Sequence, residues 1–216
     1  MAAVFPPWSN TAIRIGIAAI FLGGAGAIAA PMIYVRTTWN TGEEDPVVQP
    51  VQFDHRHHFK DDAMDCRYCH NMVERSHTAG MPSTGKCMGC HSQVWNDSPL
   101  LEIVRNSYYS ELPIRWRRVH NVPDFVYFNH AIHVNKGVGC VTCHGRVDQM
   151  PAVYQVAPLT MQWCLDCHRR PEPNLRPLSE ITSMAWDPGP AREEIGQRVA
   201  EELGVLRLTT CTTCHS

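Results

Sequence analysis

The chain has 216 residues, of which 44% are hydrophobic and 19% are charged, which excludes a disordered, collagen-like or low-complexity protein. Its 19 basic and 21 acidic residues give a net charge of −2 without a tail of one sign, so nucleic-acid binding is not expected. The 14 glycines and 16 prolines indicate many loops, and the ten cysteines are the most unusual feature of the composition.

The first element along the chain is an uncharged stretch at residues 15–35, bounded by Arg14 and Arg36. It is long enough to cross the hydrocarbon core of a bilayer and exceeds the apolar region of a signal peptide. Residues 27–29 resemble a small-residue cleavage site, but the length favours an uncleaved signal anchor. We therefore predict a transmembrane helix over 15–35, followed by a polar, proline-containing linker over 36–50.

All ten cysteines belong to five copies of the pentapeptide Cys-x-x-Cys-His (CxxCH), which leaves none for a disulfide framework. We number these copies in chain order as sites 1 to 5, and their residues are Cys66, Cys69 and His70; Cys87, Cys90 and His91; Cys140, Cys143 and His144; Cys164, Cys167 and His168; and Cys211, Cys214 and His215.

The CxxCH spacing is the attachment signature of c-type haem. Two thiols three residues apart lie on one face of a helical turn and can add to the two vinyl groups of one haem. The next histidine is then carried under the ring, where it binds the iron as proximal ligand. The alternative is zinc, because CxxC pairs also build tetrahedral sulfur sites, but zinc needs no histidine at this fixed position.

Five covalently attached c-type haems determine the predicted topology. Because such haems are attached on the outer side of an energy-transducing membrane, residues 1–14 are predicted to be cytoplasmic and residues 51–216 periplasmic. The chain is then a single-pass protein of the inner membrane. The haems themselves are expected to form the core of a mainly α-helical domain with extensive loops, in which residues 98–109 and 191–203 have the pattern of amphipathic helices.

An internal duplication relates residues 51–91 to residues 126–168. The box Phe-x-His-x-x-His occurs at 53–58 (the first box) and again at 128–133 (the second box), 75 residues later. Each box precedes a CxxCH motif by seven or six residues, and a further motif follows after 16 or 19 more. The fifth motif, at 211–215, has no duplicate.

Five six-coordinate irons need five further ligands, and seven of the twelve histidines lie outside the CxxCH motifs. Histidines three residues apart share a helical face but can diverge to two haems, one local and one distant. The predicted distal ligands are the four box histidines and one histidine between the repeats, namely His55, His58, His130, His133 and His120. This set would make every haem bis-histidine.

His77, Met161 and Met184 are alternative distal ligands. A histidine–methionine pair raises the reduction potential of its haem, and one such site among the five stays open. His77 has no counterpart in the second repeat, and either methionine could instead pack in the core. His57 breaks the duplicated spacing and is expected to face solvent or to contact a haem propionate.

With two boxes, five CxxCH motifs and an uncleaved anchor, the chain resembles the pentahaem cytochrome c subunit of alternative complex III, a menaquinol:electron acceptor oxidoreductase. Residues 116–145, WRRVHNVPDFVYFNHAIHVNKGVGCVTCHG, carry the closest similarity. The boxes with their motifs are shared with class III (cytochrome c3/c7-like) proteins and with the cytochrome subunit of quinone reductase complexes.

The resemblance implies a subunit of a quinol-oxidising complex in the inner membrane. Its partners would be an iron–sulfur subunit, polytopic membrane subunits and a monohaem cytochrome. The chain would relay single electrons from the quinol-oxidising part to a periplasmic cytochrome c, a cupredoxin or an oxidase, and would have no catalytic residue of its own.

Two other functions compete with this interpretation. A multihaem reductase needs a five-coordinate haem, whereas the histidines here suffice to close every site and no CxxCK variant occurs. A self-sufficient multihaem quinol dehydrogenase anchor would need groups that accept quinol protons, but Tyr34 is the only polar residue of the predicted transmembrane helix. A non-catalytic electron-transfer subunit is therefore the prediction.

Overall fold

The computed structural model describes residues 4–215. Residues 1–3 of the predicted cytoplasmic segment and residue 216 of the predicted haem domain lie outside the described residues. The chain divides into two units, Met1–Gly42 and Glu43–Ser216, and the division falls within the predicted linker. A long helix fills most of the first unit, and the second unit contains all five CxxCH motifs.

The first unit consists of helix α1 (Ser9–Tyr34) and the short helix α2 (Thr38–Thr41). Helix α1 is 26 residues long, begins before the predicted transmembrane segment, and buries none of its residues although most are apolar. Within the described residues it is the one helix whose length and composition suffice to cross a membrane. A signal sequence near an N-terminus has the same properties, so these features suit an anchor and a signal sequence alike.

The second unit is built from short helices joined by loops. Between residues 43 and 215 the structure has no β-strand, and three isolated bridges pair single residues instead. The predicted mainly α-helical, loop-rich fold is therefore confirmed. Its α-helices are α3 (Cys66–Cys69), α4 (Thr84–His91), α5 (Glu102–Ser110), α6 (His130–Asn135), α7 (Cys140–His144), α8 (Met161–Arg169), α9 (Arg192–Glu202) and α10 (Cys211–Cys214), and its 3-10 turns are Pro99–Leu101, Val147–Gln149, Glu172–Asn174, Leu178–Glu180 and Gly189–Ala191.

Each CxxCH motif forms a helical turn, in α3, α4, α7, α8 and α10 respectively. Polar residues cap two of these helices, because Asp65 accepts the backbone N–H of Arg67 at 2.8 Å and Thr160 accepts that of Trp163 at 3.4 Å. Caps of this type satisfy backbone donors that have no partner inside the helix. Within one turn, residues i and i+3 share a face, so both thiols of a motif point to the same side.

The two boxes differ by one residue in their distance to the next CxxCH motif. Seven residues follow His58 before Cys66, whereas six follow His133 before the next cysteine. The second box continues as the α-helix α6, but the first continues as a π-turn over His57–Asp61. A π-turn accommodates one more residue than an α-helical turn. It therefore accommodates the extra residue of the first repeat.

The buried apolar side chains of the second unit form two small clusters rather than one continuous core. The first cluster is Val51, Met88 and Val104, and the second is Val73, Val134 and Ile181. Cys87 of site 2 packs against the first cluster, and Cys140 of site 3 packs against the second. The side-chain core thus lies beside the attachment cysteines, which fits a domain whose interior is organised around haem groups.

Helix α9, which covers most of the predicted amphipathic segment 191–203, is packed closely against two loops. A Cβ atom at Gly196 would lie 1.8 Å from the Glu172 carbonyl oxygen, so only glycine fits at this position. Val199 is 3% exposed, and its side chain lies against Gly137, whose φ is +90°. The helix therefore holds together the loop that follows α6 and the loop that follows α8.

Candidate haem-binding sites

The CxxCH histidines at three sites are oriented by hydrogen bonds to backbone carbonyls. Their Nδ1 atoms lie within hydrogen-bond distance of a carbonyl oxygen in the pairs His70–Gly80 (2.8 Å), His91–Val94 (2.9 Å) and His215–Phe125 (3.3 Å). A carbonyl only accepts, so Nδ1 carries the proton and donates in each case. The lone pair is then on Nε2, which is the arrangement that a metal-ligating histidine requires.

The box histidines are oriented in the same way. The Nδ1 atom of His133 donates to the Asn129 carbonyl at 2.7 Å, and that of His58 donates to the corresponding Asp54 carbonyl at 3.3 Å. The phenylalanine of each box stacks on this histidine, with ring centroids 4.4 Å apart in the first box and 4.6 Å apart in the second. The duplication therefore preserves both the hydrogen bond and the aromatic support of the histidine.

Three pairs of histidines have the separation that an iron with two histidine ligands needs. Because an iron–nitrogen bond is about 2 Å and a ring nitrogen lies about 1.2 Å from its ring centroid, the two centroids should be about 6.4 Å apart. The observed pairs are His58–His91 at 6.1 Å, His133–His168 at 6.1 Å and His130–His144 at 6.4 Å. Each pair joins a box histidine to a CxxCH histidine, so the residues present fit the axial ligands of haem iron.

His55 occupies the first-box position that corresponds to His130. Its Nδ1 atom is buried without a hydrogen-bond partner, and its ring meets the edge of Phe53 at 4.7 Å. Phe128 and His130 have the same edge contact at 4.8 Å. Burial, followed by the nearby His70, lowers the pKa of His55 to about 4, so its imidazole is neutral near pH 7.

His120 lies against site 3. Its ring centroid is 4.2 Å from that of His144 at an interplanar angle of 70°, which is too close for the two rings to share one iron from opposite sides. The Nε2 atom of His120 is buried and has no hydrogen-bond partner. Burial lowers the pKa of His120 to about 4 and that of His144 to about 3, so both imidazoles are in the neutral form that binds metals.

The alternative distal ligands differ widely in exposure. His77 is exposed, and its backbone carbonyl accepts the Nδ1–H of His130 at 2.9 Å, so its main chain orients a box histidine. Met161 is 66% exposed, whereas Met184 is 7% exposed and therefore buried. His57, expected to face solvent or a propionate, is exposed and pairs with Asp61 at 2.9 Å.

The ten thiols are free in this structure. Burial raises the pKa of Cys143 to about 12, and a hydrogen bond to Cys140 together with burial raises the pKa of Cys66. Among residues 4–215, no group of three or more side chains that could ligate a metal comes together, whereas a structural zinc site needs four. The ten thiols are therefore free to form thioethers, two at each motif.

Arg176 is a candidate site residue that the sequence analysis did not identify. It is 3% exposed, donates from Nη1 to the Ser183 carbonyl at 2.9 Å, and lies 4.8 Å over the ring of Trp186. It packs against Gly139, directly before Cys140, and its Nε is buried without a hydrogen-bond partner. The Nε–H group is therefore a candidate donor to an anionic group such as a haem propionate. Nothing in the local sequence distinguishes this arginine from the other arginines.

Residues 126–216 match the protein family described as cytochrome c7 and related cytochrome c. The matched region begins just before the second box and contains sites 3, 4 and 5. This region is therefore similar to c7-like multihaem cytochrome c domains, a class that binds c-type haems covalently.

A similar protein is the multihaem cytochrome c subunit of a menaquinone reductase from Nitratidesulfovibrio vulgaris (strain Hildenborough). The two chains are 37% identical over 97 residues, which is 44% of this chain and 45% of the relative. The match thus spans less than half of the relative's length.

Proposed function

We propose that this chain is the multihaem cytochrome c subunit of a membrane-bound quinol:electron acceptor oxidoreductase, with five covalently attached c-type haems. The proposal is carried by the three histidine pairs whose ring centroids have the separation of a bis-histidine iron. Irons with both axial positions filled suit electron transfer and offer no position to a substrate. The chain would therefore relay single electrons and catalyse no reaction of its own.

When bound, a c-type haem supplies an iron that exchanges one electron reversibly. The chain supplies the rest. Each pair of thiols would fix a haem through thioether bonds, and the CxxCH histidine and a distal histidine would hold its iron through Nε2. The carbonyl partners of Nδ1 orient these rings and leave Nε2 available as a ligand.

Four distal ligands follow from the duplication together with the observed ring separations. The proposed pairs are His55–His70 at site 1, His58–His91 at site 2, His130–His144 at site 3 and His133–His168 at site 4. The pair at site 1 is the duplicate of the pair at site 3, and it is supported by the effect of His70 on the pKa of His55. In each repeat, the first histidine of the box serves the nearer motif and the second serves the farther one.

His120 is our proposal for the fifth distal ligand. Its buried Nε2 without a partner supports a ligand role, and it is the one predicted histidine that the four pairs do not use. Its ring contact is with His144, which places it beside site 3. Replacing His120 with alanine should convert one low-spin haem to high-spin, whereas alanine at the exposed His77 should leave all five low-spin.

The membrane and partner assignments extend the proposal to the whole complex. We infer that α1 is an uncleaved inner-membrane anchor, that residues 1–14 are cytoplasmic, and that residues 51–216 are periplasmic. The resemblance supports alternative complex III with an iron–sulfur subunit, polytopic membrane subunits and a monohaem cytochrome, and a periplasmic cytochrome c, cupredoxin or oxidase as acceptor. The menaquinone reductase relative supports the related alternative, a quinone reductase-type complex.

The test uses the full chain purified from membranes, both alone and with its co-purifying subunits. Mass spectrometry should find five haems attached, and near-infrared magnetic circular dichroism should find every ferric iron low-spin with two axial ligands. A menaquinol analogue should reduce the haems when the other subunits are present and should fail to reduce them in the chain alone.

Three results would contradict the proposal. Fewer than five haems by mass would remove the relay as described. A high-spin ferric signal in the unaltered protein would favour a reductase with an open iron. Reduction by the quinol analogue in the chain alone would favour a self-sufficient quinol dehydrogenase anchor.

A further inference from the structure

Sites 1 and 2 are neighbours. The Lys86 ammonium group, directly before site 2, lies 4.3 Å from the ring centroid of Tyr68 within the site 1 motif. The first box also reaches site 2, because its His58 ring faces His91 at 6.1 Å, and its His55 is the proposed ligand at site 1. These contacts join the two CxxCH motifs of the first repeat.

Sites 1 and 3 are also neighbours, although 69 residues of sequence separate their motifs. Thr182 donates to the carboxylate of Asp65 at 2.7 Å, directly before site 1, while the adjacent Ile181 accepts the backbone N–H of Cys140 at 3.1 Å. One dipeptide therefore holds the starts of both motifs.

Further contacts strengthen this junction between the two repeats. The amide of Asn135 donates to the Glu74 carbonyl at 3.0 Å, and the backbone N–H of Ala131 donates to the Ser76 carbonyl at 3.1 Å. Helix α6, which carries the second box, is thus bound to the loop that follows site 1. The second repeat meets the first beside site 1.

Sites 3 and 4 share the second box, because His130 and His133 lie three residues apart on α6 and face the histidines of the two sites. Sites 4 and 5 are joined by two further contacts. The Arg207 guanidinium, just before site 5, pairs with the Glu172 carboxylate, just after site 4, at 2.5 Å. The backbone N–H of Tyr127 donates to the Cys214 carbonyl at 2.8 Å, next to the box phenylalanine that stacks on His133.

The exposure of the cysteines independently distinguishes two of the five sites from the other three. Of the ten, Cys90 of site 2 and Cys211 of site 5 are exposed, and the other eight are partly buried. A site at the end of a row has a neighbour on one side only, so it should expose more of its attachment residues than a site between two others. Sites 2 and 5 are the two that have this property.

We propose that the five haem sites follow one another in the spatial order 2, 1, 3, 4, 5, so that sites 2 and 5 are the ends of the row and site 3 is its centre. The order differs from the order of the motifs in the sequence, in which site 1 would be an end and site 2 would lie inside the row. It rests on the proposed function only in taking the five motifs to bind haem and the box histidines to be ligands.

The first test compares His55→Met with His58→Met in the full holoprotein. Each variant should give one haem a histidine–methionine pair and raise its reduction potential, so that this haem is reduced before its neighbours. Because Coulomb interaction falls with distance, the adjacent haems should then titrate at lower potentials than in the unaltered protein. The assay is a potentiometric titration in which the five haems are resolved by NMR.

The two orders predict opposite counts. In the proposed order, His58→Met changes site 2 and should shift the potential of one remaining haem, whereas His55→Met changes site 1 and should shift two. In the sequence order, His58→Met should shift two and His55→Met should shift one. The substitutions are three residues apart in the same box, so each is the matched control for the other.

Iron positions in the unaltered holoprotein provide the second test, which does not depend on any variant. In the proposed order, anomalous diffraction should place the irons of sites 2 and 3 as the two nearest to the iron of site 1. An iron of site 3 that lies nearer to site 2 than to site 1 would overturn the order. If His58→Met left the ligand bands unchanged, that would contradict the ligand pairing of the proposed function, and the iron positions would still decide the order.

Discussion

Asp65 connects the helix of site 1 to a distant segment of the chain, and its removal gives a measurable test of that junction. Its carboxylate caps α3 through the Arg67 backbone N–H at 2.8 Å, accepts the Arg67 guanidinium at 2.9 Å, and accepts the Thr182 hydroxyl at 2.7 Å. Burial raises the pKa of Asp65, but the hydrogen bonds from Arg67 and Thr182 more than offset this and hold it at about 2. The perturbation is Asp65→Asn, which removes the charge and keeps the shape.

The magnitude follows from the pKa. A decrease from the ordinary value of 3.8 to about 2 corresponds to about 2.4 kcal/mol at pH 7. Because the Asp65 side chain is 40% exposed, screening by solvent reduces the expected contribution to about 1 kcal/mol. The folded-state pKa is the lower one, so this stabilisation is present in full above the unfolded pKa and is lost as the pH falls from about 4 to about 2.

The assay is guanidinium unfolding of the detergent-solubilised holoprotein, followed in the haem absorption. At pH 7, Asp65→Asn should lower the free energy of unfolding by about 1 kcal/mol relative to the unaltered protein. The two proteins should become equally stable near pH 2, and Asp124→Asn, at an exposed position, should leave the stability unchanged. Equal stability of Asp65→Asn and the unaltered protein at pH 7, or a difference that persists below pH 2, would refute the reasoning.

Two further predictions concern packing and a buried cation. Gly196→Ala should lower the free energy of unfolding by about 2 kcal/mol or more, because its Cβ would overlap the Glu172 carbonyl. The control Gly85→Ala, which meets only ordinary contacts in α4, should be neutral or slightly stabilising. Denaturant midpoints of the two variants check this, and equal midpoints would contradict it. Arg176→Gln should cost about 2 kcal/mol because it removes the charged donor to the Ser183 carbonyl, and thermal unfolding without a change in Tm would contradict the structural role of that arginine.

The local structure of the sites could be predicted from the sequence because it depends on residues close together in the chain. Thiols three residues apart need a helical turn, and the structure has one at every CxxCH motif. The spacing of the boxes also predicted that two histidines on one face diverge to two sites, which the separations of His130 and His133 from His144 and His168 support. Such inferences use fixed geometry over a few residues and do not require the tertiary structure.

The contacts that assemble the sites could not be predicted in this way. The bond between Asp65 and Thr182 joins residues 117 positions apart, and the burial of Arg176 depends on loops that carry no motif. The position of His120 beside His144 likewise depends on how the segment between the repeats folds back. Counting the histidines in the sequence gives the number of available distal ligands, but only the spatial arrangement tells which CxxCH histidine each of them faces.

The duplication explains why the proposed spatial order and the sequence order differ. In the proposed pairing, each box supplies one histidine to its own motif and one to the next, so each repeat would hold two sites close together. The two repeats must then meet through one site of each repeat. The contacts of Ile181 and Thr182 join the first site of each repeat, namely sites 3 and 1. Site 2 is left at one end, and the unduplicated fifth motif extends the row beyond site 4. Duplication of a two-site unit followed by addition of a single site therefore produces a row whose centre is the first motif of the second repeat.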